Sequence, residues 1–270
     1  MNRTQRPLFC AILLALNLGT ILRVHAEKIF QKDGKVLNAI EIRRDGAFVF
    51  LKVANAEGGV TETLVPLNQV ERIEFPESAA LAEARQLWRG GDAKGVLDKT
   101  TEAMNSQRVY RDVPGNQWVD VIRLRLPAIA LESGSQAFED LQKDWVPTGD
   151  EDLDIAFRLL VAGRTDPAGA QVARKALAKP GAASLAAGLS WLDLGEAALK
   201  ANRWKDAVRC FLSVEVFLPN QRLLQPKALL GAIKGFLGSG ERAKAAALVE
   251  ELKAEYPSTP EVRLAAELLR

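Results

Sequence analysis

The sequence predicts a mainly α protein: a solenoid of stacked helical hairpins preceded by a small all-β, barrel-like domain. Three observations carry that expectation. Apolar residues recur at three- and four-residue steps from Ala79 to the C-terminus, the period of amphipathic helices. Gly, Asp and Pro interrupt that pattern at short intervals, so that each helix turns back on the one before. β-Branched residues cluster instead between 36 and 75, where the apolar period shortens to two.

The first 26 residues stand apart. "MNRTQRP" carries Arg3 and Arg6 and no acid, "LFCAILLALNLGTIL" is continuously apolar, and "RVHA" offers Val24 and Ala26 as small residues at a cleavage site. This is the three-part pattern of a secretory signal peptide, with cleavage expected after Ala26. The apolar run falls short of the roughly 20 residues that a membrane span needs, and the alternative is an uncleaved N-terminal anchor. The expected location is the periplasm or cell envelope of a bacterium, with at most peripheral membrane association. Cleavage would remove the single histidine, His25, and Cys10, leaving Cys210 as the one cysteine. It would also remove Arg3, Arg6 and Arg23, so that 33 of the 36 basic residues face 34 acidic ones. One cysteine cannot form an internal disulfide, so packing must supply the stability.

Residues 27–76 read as the β domain. "EKIFQ" is a first strand. Val36, Ile40 and Ile42 are expected on one face of the next, and Phe48 and Phe50 oppose Val49, Leu51 and Val53 in another. Asp45-Gly46 marks a hairpin turn and Gly58-Gly59 a second. Leu64 to Leu67 and Val70 to Phe75 complete five short strands, and Pro66, which cannot donate to a ladder, belongs at an edge or a bend. The pattern resembles small barrels of SH3-like or Sm-like type. Lys28, Lys32, Lys35, Arg43, Arg44 and Lys52 could be read as a nucleic-acid surface, but interspersed acids favour the solvent faces of alternating strands.

Residues 77–270 read as five helical hairpins and a last single helix. One stretch is more specific. With Gly188 as its first position, Trp191 falls at the fourth, Leu194 at the seventh, Gly195 at the eighth, Ala207 at the twentieth, Phe211 at the twenty-fourth and Pro219 at the thirty-second. This resembles the tetratricopeptide repeat. The aromatic of the eleventh position is replaced by Ala198, and the small residue of the twenty-seventh by Val214. Repeats are expected at 188–221 and, more loosely, at 226–257, with 259–270 as a capping helix. Gly195 and Ala207 would let two helices approach, while Trp191, Leu194 and Phe211 fill the space between hairpins. The resemblance implies a concave face built by the first helix of each hairpin, carrying Leu192, Glu196 and Leu199. Repeats of this family that grip C-terminal carboxylates use Lys, Arg and Asn there, so an apolar or basic protein segment is the expected partner.

The insertion "RVYRDVPGNQW" (108–118) separates the first two hairpins. Tyr110 and Trp118 are candidate ligand contacts, and the competing reading is a structural turn with Trp118 tucked beneath the solenoid.

Little chemistry is on offer. Without histidine there is no Ser-His-Asp or Cys-His arrangement and no His metal ligand. Cys210 sits beside Phe211 on a repeat helix and is expected to pack. "GFLGSGER" lacks the Gly-Lys-Ser/Thr ending of a phosphate loop. "GDEDLD" (149–154) lacks the spacing of a calcium loop and suits a helix N-terminus. No catalytic, metal or cofactor residue is assigned. The expected function is an exported, non-enzymatic interaction scaffold that binds a protein or peptide and no nucleic acid. The alternative is an envelope enzyme, or enzyme subunit, with a site in the β domain or the 108–118 loop.

Overall fold

A computed structural model describes residues 27–54, 59–132 and 135–270. The signal peptide read at 1–26, and Gly58 of the second turn, lie outside the described residues. The N-terminal part holds six short strands: β1 (Glu27–Gln31), β2 (Val36–Ala39), β3 (Glu41–Asp45), β4 (Phe48–Ala54), β5 (Val60–Pro66) and β6 (Val70–Glu74). They form two three-stranded antiparallel sheets, ordered β2-β1-β6 and β3-β4-β5.

One expectation needs correction here. Val36, Ile40 and Ile42 do not share a buried face, because the chain leaves the first sheet and enters the second at Ile40, whose N–H donates to Lys52 O at 2.7 Å. That break exposes Val36 and Ile40 and buries Ala39 instead. Alternation in β4 holds: Val49 and Leu51 are buried and Phe48 is exposed. Gly46 adopts a φ of +55° in the β3–β4 turn, a conformation that suits glycine. Pro66 ends β5, an edge strand, opposite Phe48.

Eleven α-helices follow among the described residues: α1 (Ala79–Arg89), α2 (Ala93–Gln107), α3 (Trp118–Glu132), α4 (Ser135–Asp144), α5 (Glu151–Thr165), α6 (Pro167–Leu177), α7 (Leu185–Lys200), α8 (Trp204–Phe217), α9 (Gln225–Gly238), α10 (Arg242–Glu255) and α11 (Pro260–Leu268). Each of several starts is fixed by a side-chain oxygen that accepts from otherwise orphaned amides: Ser78, Asp92, Asp150, Asp166 and Ser184. The acidic run 149–154 is such a start: Asp150 accepts from Asp152 N and Leu153 N, at 3.1 and 3.3 Å. None of these helices is long and apolar enough to cross a membrane.

Most sequential helices pack as neighbours, and the odd-numbered helices form an inner row in which α3, α5, α7, α9 and α11 touch in succession. The α7–α8–α9 packing turns on one aromatic ring. Phe211 is fully buried, and a Cβ added to Gly195 on α7 or Gly231 on α9 would lie 2.7 or 2.5 Å from it. Glycine at both positions lets the two inner helices close on the ring. Ala207 is fully buried on the same helix as Phe211, and Trp191 is 7% exposed.

The row closes on itself. Gly91, between α1 and α2, abuts Pro226, Tyr256 and Thr259. The Arg222 guanidinium reaches Glu255 at 3.2 Å and donates to Arg89 O at 3.5 Å. The inner helices are therefore enclosed over much of their length: every residue from Leu185 to Leu192 is buried. A continuous core joins α1 to α9, a smaller one serves α9 to α11, and a third serves the β strands.

Candidate partner-binding site

Closure of the row decides which predicted contacts reach the surface. Leu192, Glu196 and Leu199 lie at i, i+4 and i+7, on one face of α7. Leu192 is 4% exposed in the main core, because α7 is covered by α5, α9 and α3 rather than by an open groove. Leu199 is half-buried against the same core. Leu192 is therefore not offered to a partner, which corrects the expectation that all three line a free concave face. Glu196 alone of the three opens into a cleft.

That cleft, of about 140 Å³, lies where the end of α3, the middle of α7 and α9 and the start of α11 converge. Lys227, Leu230, Gly231 and Lys234 enter it from α9 at i, i+3, i+4 and i+7, a single helical stripe. Glu132 and Glu261 face them from α3 and α11, and Leu131 and Leu223 supply apolar wall. Glu132, Glu196, Lys227 and Lys234 make no ion pair among the described residues. Burial pushes the Glu261 carboxyl above its usual range and the neighbouring Glu132 adds to this, against the opposing pull of Lys227. Three carboxylates, Glu132, Glu196 and Glu261, thus surround two lysines without ion pairs among the described residues, and the excess is negative.

Tyr110 and Trp118 do not face solvent. Tyr110 is buried in the β core beside Val113, its ring 5.0 Å from that of Phe75, and its hydroxyl donates to Ile42 O at 3.0 Å. Trp118 is 1% exposed at the start of α3. The 108–118 segment is a seam between the β sheets and the helices. Ile73 N donates to Pro114 O at 2.9 Å, and Gln117 Nε2 donates to Pro76 O at 2.8 Å. Arg44 is ion-paired with Asp112. Gly115, at φ +84°, passes so close to β6 that a Cβ would sit 2.5 Å from Ile73 O. The aromatics complete a core instead of presenting a ligand surface, because the β sheets alone leave one side of theirs uncovered.

A second and larger cavity, about 290 Å³, lies between the C-terminal end of α1 and the starts of α5 and α7. Its acids are already committed. Asp152 accepts from Leu185 N and Ala186 N at 2.6 and 3.0 Å, capping α7 from a neighbouring helix. Asp150 caps α5 and pairs with Arg123 at 3.2 Å. Arg85 pairs with Glu77 at 2.7 Å and with Asp120 at 3.5 Å.

Cys210 is buried, and burial pushes its thiol above the usual range, away from the thiolate that nucleophilic chemistry requires. No grouping of His, Cys, Asp and Glu among the described residues is placed to hold a metal. No protein-family model matches the chain, and neither does any curated protein. Sequence reasoning reached Glu196 but missed Glu132, Lys227, Lys234 and Glu261. The recurrence of Lys227, Leu230 and Lys234 on one stripe of α9 was the available signal; the contributions of α3 and α11 depend on closure of the row.

Proposed function

We propose that the chain is an exported, non-catalytic scaffold of tetratricopeptide type that holds a short basic segment of another protein in the inner cleft. The observation that carries this reading is the cleft's set of uncommitted charges. Glu132, Glu196, Lys227 and Lys234 stand around an apolar wall without ion pairs of their own. Charged side chains held on rigid helices without internal partners favour a charged ligand, and the excess of carboxylates favours a lysine or arginine head. The cleft's size suits one side chain, so the partner contributes an anchor residue there rather than a folded surface. The N-terminal leader pattern and the repeat-like spacing around Trp191 support the export and family parts of the proposal.

The test is fluorescence polarisation with a labelled peptide library in which one central position varies. Lysine and arginine peptides should bind more tightly than their glutamate counterparts, and Glu196→Lys combined with Glu132→Lys should abolish that preference. Equal binding of acidic and basic peptides, or a preference untouched by the double reversal, would count decisively against the cleft.

A further inference from the structure

The larger cavity beside α1 carries an inference independent of the peptide cleft. After the cavity's internal ion pairs are assigned, one cationic side chain is left over. Arg85 and Arg123 are held by Glu77, Asp120 and Asp150. The oxygens of Asp150 and Asp152 are occupied by Arg123 and by the first amides of α5 and α7. Arg89, the last residue of α1, has no carboxylate partner and no side-chain hydrogen bond among the described residues. Leu124, Leu153 and Leu185 give the cavity an apolar side. At about 290 Å³ it sits at the small end of ligand sites, which run to roughly 300–1,000 Å³.

We propose that this cavity binds a small organic monoanion: a carboxylate carried on an apolar body of single-ring size. The carboxylate faces Arg89, whose guanidinium presents paired donors to two oxygens. The apolar body lies against Leu124, Leu153 and Leu185, with the Trp88 ring as one wall. A primary amine of the same shape meets the unpaired guanidinium of Arg89 and is disfavoured by charge, and a neutral alcohol leaves Arg89 unused.

Isothermal titration of the purified protein at low salt separates these cases, with phenylacetate, phenethylamine, benzyl alcohol and acetate as probes. Phenylacetate is expected to bind at least about tenfold more tightly than each of the other three, a ratio within reach of one charge-assisted pair or one buried ring. Arg89→Gln should weaken phenylacetate about tenfold or more and leave thermal unfolding unchanged, because Arg89 is exposed and unpaired. Arg209→Gln, on the outer helix α8, should change nothing. The proposal is overturned if phenylacetate does not bind, if phenethylamine or acetate matches it, or if Arg89→Gln binds it as well as the parent protein.

Discussion

Gly231→Ala tests the packing that closes the inner row. A methyl at 231 would meet three atoms of the Phe211 ring at 2.5 to 2.6 Å. Carbon atoms pack at about 3.5–4.0 Å, so the ring must retreat by about 1 Å. It has no room to do so, because Phe211 is fully buried and its tip also lies against Gly195 on α7, where an added methyl would sit 2.7 Å away. Overpacking of a well-filled core costs ~1–3 kcal/mol, and three simultaneous contacts place this site near the upper figure. Alanine returns about 1 kcal/mol of helix propensity. The net loss is then about 2 kcal/mol, equivalent to a fall in Tm of roughly 4–8 °C for a chain of this size. Gly163→Ala is the internal control. It lies inside α5, and its methyl meets only the end of the Arg174 side chain, at 2.8 Å, so it should be neutral or stabilising by up to ~1 kcal/mol. A double-mutant cycle with Phe211→Leu, read by urea unfolding, supplies the decisive number. Shortening the ring should relieve at least ~1 kcal/mol of the alanine penalty. The reasoning fails if Gly231→Ala raises Tm, or if the two changes add to within about 0.5 kcal/mol.

Three further outcomes follow from the same contacts. Asp152→Ala removes a carboxylate that accepts from the first two amides of α7, and should cost about 1.5–3 kcal/mol in urea unfolding, with Asp152→Asn losing less. Arg125 is 2% exposed on α3; among the described residues it is bonded to Leu97 O, Thr100 Oγ1 and Thr101 Oγ1 and has no carboxylate in contact. Arg125→Met should therefore be neutral or stabilising, and a loss beyond about 2 kcal/mol would show that its charge is well compensated. Burial raises the Tyr256 hydroxyl to about 12. The folded chain then keeps this proton after the unfolded chain has released it near pH ~10, so stability should decline from about pH 10 towards pH ~12. Tyr256→Phe should flatten that alkaline limb in a pH series of urea midpoints.

Periodicity made the helices legible. All eleven spans answer to apolar steps and breakers that can be read without coordinates, because helix formation depends on contacts three and four residues apart. The contact of Gly195 with Phe211 was legible for the same reason: both residues are local to one hairpin. Gly231 was not, since its partner ring belongs to the hairpin before. The strand break at Ile40 escaped because alternation continues across it, and only pairing with Lys52 shows that the sheet has changed.

The candidate site follows the same division. Glu196 could be placed on the inner helix face from its spacing, but Leu192 and Leu199 share that spacing and are covered. What separates them is the return of the last hairpins onto the first, through Gly91 against Tyr256 and Arg222 against Arg89 O, over more than a hundred residues of chain. That closure turns a face expected to be open into two cavities on either side of the α1–α2 turn. One is lined by excess carboxylates and the other holds an uncommitted arginine. Under the proposed function, binding would depend on which charges the closed row leaves without internal partners, so the residues beside Trp191, Gly195 and Phe211, rather than those packing residues themselves, would decide what is held.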